Sequence, residues 1–140
     1  MNIRIIPMSL NDDEFEGKDI EYVQKEYFKG TLDKTNKGWY YYGKNGLEAQ
    51  SGDLLLFQME NSIIASAELE DVICFKKTSI DGNNGALILN RKTIKIFKPI
   101  TKEELKKYIP DFIAFNQVKQ KYDSKEVNIE LLKERMKNND

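Results

Sequence analysis

The residues best suited to chemistry in this chain are four consecutive aromatic residues at 39–42, Trp-Tyr-Tyr-Tyr. Flat aromatic rings stack on nucleobases, and this stacking is worth about 1–3 kcal/mol per base. Since neighbouring residues of a strand face opposite sides, one site can use only two of these rings, such as Trp39 with Tyr41. The run predicts that Trp39 and Tyr41 form a wall against which a base can stack. Phe57, in a later strand, is predicted to extend this wall. For Trp39 and Phe57, ordinary core packing is the alternative.

Catalytic groups are scarce in the sequence. There is no histidine, which excludes Ser-His and Cys-His nucleophile pairs and histidine-containing zinc sites. The single cysteine, Cys74, has strongly apolar neighbours, which favour a buried, inert thiol. No glycine-rich loop ends in the Gly-Lys-Ser/Thr sequence that binds phosphates. We therefore expect a protein that is not an enzyme and that uses no cofactor or metal.

Three carboxylates form the one arrangement with a catalytic layout. Asp53, Glu68 and Glu70 lie on strands expected to be neighbours, which is the rough pattern of a Mg²⁺-dependent nuclease. Such a site needs a lysine two positions after its second acid, and Glu70 stands there instead. Asp53 also suits a turn, where its carboxylate accepts backbone N–H groups. We expect no nuclease activity.

Charge is distributed unevenly along the chain, although the formal net charge is only −1. Residues 1–75 hold 7 Lys/Arg against 14 Asp/Glu, and residues 76–140 hold 15 against 9. A one-sided basic surface can lie along a phosphate backbone, which predicts phosphate contacts from Arg91, Lys92 and Lys95. A solvated lysine-rich surface with no partner is the alternative.

The predicted elements are a strand, a helix, five or six short strands and two helices. Asp19 suits the N-cap of the first helix and Gly30 its C-terminal end. Thr101 and Asp123, each with a Glu three residues later, suit the starts of the last two helices. Short sequential strands joined by hairpins favour an α+β domain with a small antiparallel β-barrel. The length of 140 residues suits a single domain over 1–140.

The centre of the chain resembles the PUA-like superfamily, and within it the EVE-type domains. The resemblance covers residues 37–110 and rests on the Trp39–Tyr42 run, on Gly52-Asp53 before the apolar strand 54–57, and on the returning strand 63–69. It implies a small barrel whose aromatic pocket accepts a nucleobase, often a modified one. In the related ASCH branch, some members are ribonucleases, but the Gly-Lys segment at 43–48 has no arginine near it.

The resemblance implies a nucleic-acid-binding module, DNA or RNA, of the kind attached to restriction and defence nucleases. Polar contacts along the base edge are expected from four residues: Ser9, Asn11, Asn45 and Ser66. The alternative is a protein–protein interaction module, such as an adaptor, inhibitor or antitoxin-like partner, that uses the acidic residues around Asp12, Asp13 and Glu14. No apolar run is long enough for a membrane span or resembles a signal peptide, so we expect a cytoplasmic location and no membrane partner.

Overall fold

The computed structural model describes residues 1–8, 15–42, 49–77, 79–80, 82, 84–115 and 121–137. Over these ranges the fold is α+β, as predicted, and has seven strands and three helices. The strands are β1 (Asn2–Pro7), β2 (Trp39–Tyr42), β3 (Leu54–Met59), β4 (Ser62–Cys74), β5 (Gly85–Leu89), β6 (Lys95–Thr101) and β7 (Lys121–Asp123). The helices are α1 (one α-helical turn, Ile20–Tyr22, continued as a π-helix over Val23–Thr35), α2 (Lys102–Tyr108) and α3 (Ile129–Arg135).

Two of the three helix starts follow the predicted caps. Asp19 accepts the Tyr22 N–H at 2.8 Å, and Thr101 accepts the Glu104 N–H at 3.2 Å. Asp123 forms a capping box with Glu126, but this box stands at the start of a short 3₁₀ turn, and α3 begins only at Ile129. None of the helices in the described ranges is long and apolar enough to cross a membrane.

Helix α1 does not end at Gly30, so this prediction was wrong. The helix runs on to Thr35, because Phe28 and Leu32 on either side of the glycine are fully buried and hold the segment on the sheet. In a π-helix the backbone bonds join residues five apart, as the Asn36 N–H does with the Thr31 carbonyl at 2.8 Å. Tertiary packing therefore overrides the local stop signal.

The strands form one mixed sheet in the order β2-β5-β4-β3-β1-β7, with β6 paired to β4. The predicted five or six antiparallel strands closing a barrel are not what the described residues show. Strand β1 pairs in parallel with β3, because the chain crosses over through α1 and β2 before β3 begins. The strand order is an open path, and no pairing among the described residues joins β2 to β7.

The longest strand, β4, has a different partner for each half. Its first half pairs with β3 and, on the opposite edge, with β6. Its second half pairs with β5. Between β5 and β6 the chain makes a 3₁₀ turn at Arg91–Thr93, pinned to β4 by the Thr93 hydroxyl, which accepts the Glu68 N–H at 2.8 Å. Strands β5 and β6 thus follow one another along the same edge of β4, separated by the 3₁₀ turn.

Helices cover both faces of the sheet, which gives three layers. We call the face that packs on α1 the inner face; its core includes Phe28, Leu32 and Phe57. We call the opposite face the outer face; its core packs α2 and α3 on strands β1, β3 and β6 and on the first half of β4. The outer core does not include any residue of β2 or β5. This difference decides where a ligand can reach the sheet.

Gln24 ties α1 to the sheet where the ladder between β4 and β6 is irregular. The pairing shifts register between Ile63 and Ala65, which interrupts the regular backbone hydrogen bonds. The Gln24 side-chain amide donates to the Ile64 carbonyl at 2.9 Å and to the Phe97 carbonyl at 2.6 Å. Gln24 is only 9% exposed, so these bonds satisfy two carbonyls that water hardly reaches.

Arg135 joins both C-terminal helices to β6. Its guanidinium donates to both carboxylate oxygens of Glu104, at 2.6 and 3.4 Å, and to the Lys98 carbonyl at 2.8 Å. Tyr108 donates to the same carboxylate at 3.0 Å. Partial burial works to raise the pKa of Glu104, but the hydrogen bonds from Arg135 and Tyr108 outweigh it and hold this pKa below its ordinary value of 4.5.

We expect Arg135→Gln to lower the free energy of unfolding by about 1 kcal/mol at neutral pH. Because the folded-state pKa of Glu104 is depressed, its stabilisation is present above the unfolded pKa and disappears as the pH falls through the folded one. The gap between wild type and variant should therefore narrow on acidification, to the part that comes from the bond to the Lys98 carbonyl, measured by urea unfolding at about pH 7 and about pH 3. Lys137→Gln, which removes an exposed pair with Glu134, is the matched control and should show no such gap. A gap of the same size at both pH values would contradict this account.

Candidate nucleic-acid interface

The outer face carries an aromatic patch at the end that α2 and α3 do not pack against. Residues directly opposite each other on paired strands point to the same side. The registers Trp39↔Ile88 and Tyr41↔Ala86, continued by Ile73↔Ala86, therefore place these side chains on one face. Phe75 joins them, because its ring contacts that of Tyr41. We call this patch the aromatic platform; it consists of Trp39, Tyr41, Ile73, Phe75 and Ile88.

The rings of the aromatic platform are accessible and evenly spaced. Tyr41 is 41% exposed, while Trp39 and Phe75 are half-buried. The ring centroids lie 6.3 Å apart for Trp39 and Tyr41 and 6.5 Å apart for Tyr41 and Phe75, with tilts of 49° and 43°. The three rings thus form a curved row on which flat ligands can stack.

A β-bulge in β4 completes the aromatic platform. Leu69 pairs with Leu89 and Asp71 with Ile88, so Glu70 is an extra residue in β4. One extra residue exchanges the faces of all residues that follow it. Ile73 and Phe75 therefore turn to the outer face, while Val72 packs against the inner core. Without the bulge the row would have two rings.

Two glycines hold β2 close to its neighbours. A Cβ on Gly85 would collide with the Ile73 carbonyl and with the Tyr42 hydroxyl, so only glycine allows β5 to lie between them. The Tyr42 hydroxyl donates to the Ile73 carbonyl at 3.2 Å and lies 3.4 Å from the Cys74 sulfur. Cys74 is exposed at the end of β4, so the prediction of a buried thiol was wrong. Burial, together with the contact to Cys74, raises the pKa of Tyr42 to about 12. Gly38 has φ 88°, which favours glycine, and its carbonyl accepts the Leu89 N–H at 2.8 Å.

Exposed lysines follow the aromatic platform at one end, and near its other end Arg91 turns toward α1. Arg91 lies beside Gly38, with its Cγ 3.1 Å from the position of a Cβ there, and pairs with Asp33 at 2.8 Å. Lys92, next in the same turn, is exposed. At the other end, Lys76 and Lys77 directly follow Phe75 and are both exposed. An anionic chain crossing the rings would meet Lys76 and Lys77 beyond Phe75, whereas the charge of Arg91 is already paired with Asp33 of α1.

The structure brings together some of the residues that the sequence singled out and separates others. Trp39 and Tyr41 share the aromatic platform, whereas Arg91 lies beside Gly38 and pairs with Asp33 of α1, and Lys92 follows it in an exposed turn. Phe57 is fully buried in the inner core, between Phe28 and Tyr40, with ring centroids 5.0 Å from each. Ser66 is 2% exposed and pairs with the half-buried Lys95 in the covered half of the sheet. The row of stacking rings therefore does not include Phe57.

Three expected base-edge residues, Ser9, Asn11 and Asn45, lie outside the described residues, as do the acidic residues Asp12, Asp13 and Glu14. Of the carboxylates with a nuclease-like layout, Asp53 is buried and accepts the backbone N–H groups of Gln50 at 2.9 Å and Asn2 at 3.3 Å. These bonds are those of a turn residue. Over the described ranges, no group of three acidic or cysteine side chains could hold a metal ion.

The sequence reasoning missed Ile73, Phe75, Ile88 and Asp71. Only the bulge at Glu70 places three of them on the outer face, and a bulge of this type leaves no glycine or proline to mark it. The one available signal was the adjacent acidic pair Glu70-Asp71 directly before a continuous apolar run at 72–75.

A separate groove of about 410 Å³ lies between α1 and β6. Its lining includes Gln24, Lys25 and Lys98, but none of the residues predicted to bind nucleic acid. Lys25 is already paired with Glu21 at 2.6 Å. We assign no function to this groove.

Comparison with protein-family models, with curated proteins and with solved structures found no match to this chain.

Proposed function

We propose that this protein binds single-stranded nucleic acid on the aromatic platform, without catalysing a reaction. The observation that carries the proposal is the row of three accessible rings, Trp39, Tyr41 and Phe75, on one face of the sheet. Base–aromatic stacking accepts every base, because every base has a flat π face. Trp39 and Tyr41 are the rings that we expect to contribute most.

The spacing of the rings favours a single strand over a duplex. The centroid separations of 6.3 and 6.5 Å are nearly twice the rise per nucleotide of a duplex strand, about 3.4 Å. Bases that sit on neighbouring rings must therefore be separated from each other, which a paired and stacked duplex does not allow. Splayed single-stranded bases meet this requirement.

The flanking charges would hold the phosphates. Lys76 and Lys77 lie beyond Phe75, so a strand that follows the rings ends on basic residues at that side. At the other end, Arg91 and Lys92 lie in the turn near Gly38, and Arg91 would have to exchange its pair with Asp33 for a phosphate. Contacts between phosphates and basic side chains release counterions, which makes the affinity depend on salt.

We expect the double variant Lys76→Gln with Lys77→Gln to bind a labelled single-stranded oligonucleotide more weakly. The slope of log affinity against log salt should become shallower by about 1.4, since each phosphate contact on a single strand contributes about 0.7. Fluorescence anisotropy at several salt concentrations measures both quantities. Lys106→Gln with Lys107→Gln, an exposed adjacent pair on α2, is the matched control and should leave the slope unchanged. Equal slopes in the wild type and in the Lys76/Lys77 variant would contradict this phosphate assignment.

Recognition of a modified base, and the PUA-like relationship that implies it, remain predictions from the sequence. An open row of rings stacks modified and unmodified bases alike, so any preference must come from groups along the base edge. The titrations should therefore include oligonucleotides with modified bases.

A protein partner is the second candidate function. It is favoured by the edge of β2 that lies away from β5, where no strand pairs among the described residues. An extended peptide could add there as a further strand. The affinity for such a peptide should depend little on Trp39 and little on salt concentration. The affinity for nucleic acid should depend on both, which separates the two proposals.

A further inference from the structure

Asp71 is the one acidic side chain of β4 that directly faces the aromatic platform. The bulge at Glu70 sets its direction, because Asp71 pairs with Ile88 and Ile88 pairs with Trp39. These three residues therefore form a line across three strands on the outer face. Two strand spacings separate Asp71 from Trp39, which is about 10 Å between backbones.

The carboxylate of Asp71 is available to a ligand. The side chain is exposed, and one oxygen, Oδ1, accepts the neighbouring Val72 N–H at 2.8 Å. This bond orients the carboxylate, and the second oxygen, Oδ2, has no hydrogen-bond partner among the described residues. An ionised carboxylate only accepts hydrogen bonds, so it favours ligand groups that donate.

We propose that Asp71 makes the aromatic platform selective for bases with an exocyclic amino group, and for cytosine over thymine or uracil in particular. This inference rests on the proposed single-strand binding. A base stacked on Trp39 with its C4 substituent toward β4 would bring that substituent toward Asp71. Cytosine presents the N4 amino group there, whereas thymine presents the O4 carbonyl, which has no hydrogen to donate. The same negative charge keeps phosphates at the flanks of the platform.

The test compares two oligonucleotides of about ten nucleotides, oligo-dC and oligo-dT, in titrations at neutral pH and one salt concentration. Both bases are pyrimidines, so their stacking surfaces are alike and the comparison isolates the base edge. We expect the wild type to bind oligo-dC about fivefold more tightly, the low end of what one base-edge contact gives.

Asp71→Asn should abolish this preference, because an amide can both donate and accept. Loss of the negative charge can raise both affinities, but a purely electrostatic role would raise them by the same factor and leave their ratio unchanged. Asp111→Asn, the same change at an exposed position beyond α2, is the matched control and should keep the wild-type ratio.

Each other outcome overturns a defined part of this proposal. Equal binding of both oligonucleotides by the wild type, or an unchanged ratio in Asp71→Asn, overturns the selection by Asp71 and leaves single-strand binding standing. Failure of the wild type to bind either oligonucleotide overturns single-strand binding and the selection together.

Discussion

Replacing Trp39 by alanine should weaken the binding of a labelled single-stranded oligonucleotide by about ten- to a hundredfold, the value of one base–aromatic stack. Trp39 is half-buried and lies at the start of β2, at the end of the sheet where the outer core is missing. Its removal should leave the fold largely intact. A fully buried aromatic residue would instead lose about 3–5 kcal/mol of unfolding free energy on the same change.

Two controls separate stacking from general damage. Trp39→Phe keeps a flat ring and should retain most of the affinity. Tyr22→Ala removes an aromatic residue that is 43% exposed on α1, away from the aromatic platform, and should bind as the wild type does. A Trp39→Ala variant that unfolds several kcal/mol more easily would identify Trp39 as a core residue. A variant that is stable and binds normally would remove it from the site.

Replacing Gln24 by leucine should lower the free energy of unfolding by about 3 kcal/mol, because it leaves two buried carbonyls, those of Ile64 and Phe97, without their donor. The leucine fills a similar volume, so the loss reports the hydrogen bonds and not a cavity. Urea unfolding followed by circular dichroism measures it.

Lys25→Leu is the matched control for Gln24→Leu. Lys25 is the next residue on the same helix, and its side chain is 63% exposed, so its replacement should change the free energy of unfolding by about 0.5 kcal/mol or less. Similar losses in the two variants would show that the bridge from α1 to the irregular ladder is not what holds the helix in place. Since α1 leads directly into β2, this bridge also supports the position of Trp39.

Local signals in the sequence predicted the local features of the fold. The Asp19 and Thr101 caps are confirmed, and the tight turn at Glu60-Asn61 between β3 and β4, where Glu60 has φ 56°, is a local feature of the same kind. Each of these depends on residues within a few positions of one another. Capping and turn formation are short-range hydrogen-bonding problems, so the residue types alone identify them.

Features that depend on distant residues could not be predicted in this way. The parallel pairing of β1 with β3 joins residues about fifty positions apart, and the continuation of α1 past Gly30 depends on burial of Leu32 against the sheet. Phe57 and Trp39 look alike as aromatic residues in strands. Only the choice of face, set by register, places one in the inner core and the other on the outer face.

The measurement that tests the central claim most directly is titration of the fluorescence of Trp39, the only tryptophan, with one oligonucleotide as a single strand and as a duplex. It should be made at about 50 and about 200 mM salt. Stacking on the aromatic platform predicts saturable quenching by the single strand, weaker quenching by the duplex, and loss of affinity at the higher salt. Unchanged emission with every oligonucleotide, or a duplex that binds as tightly as the single strand, would contradict it.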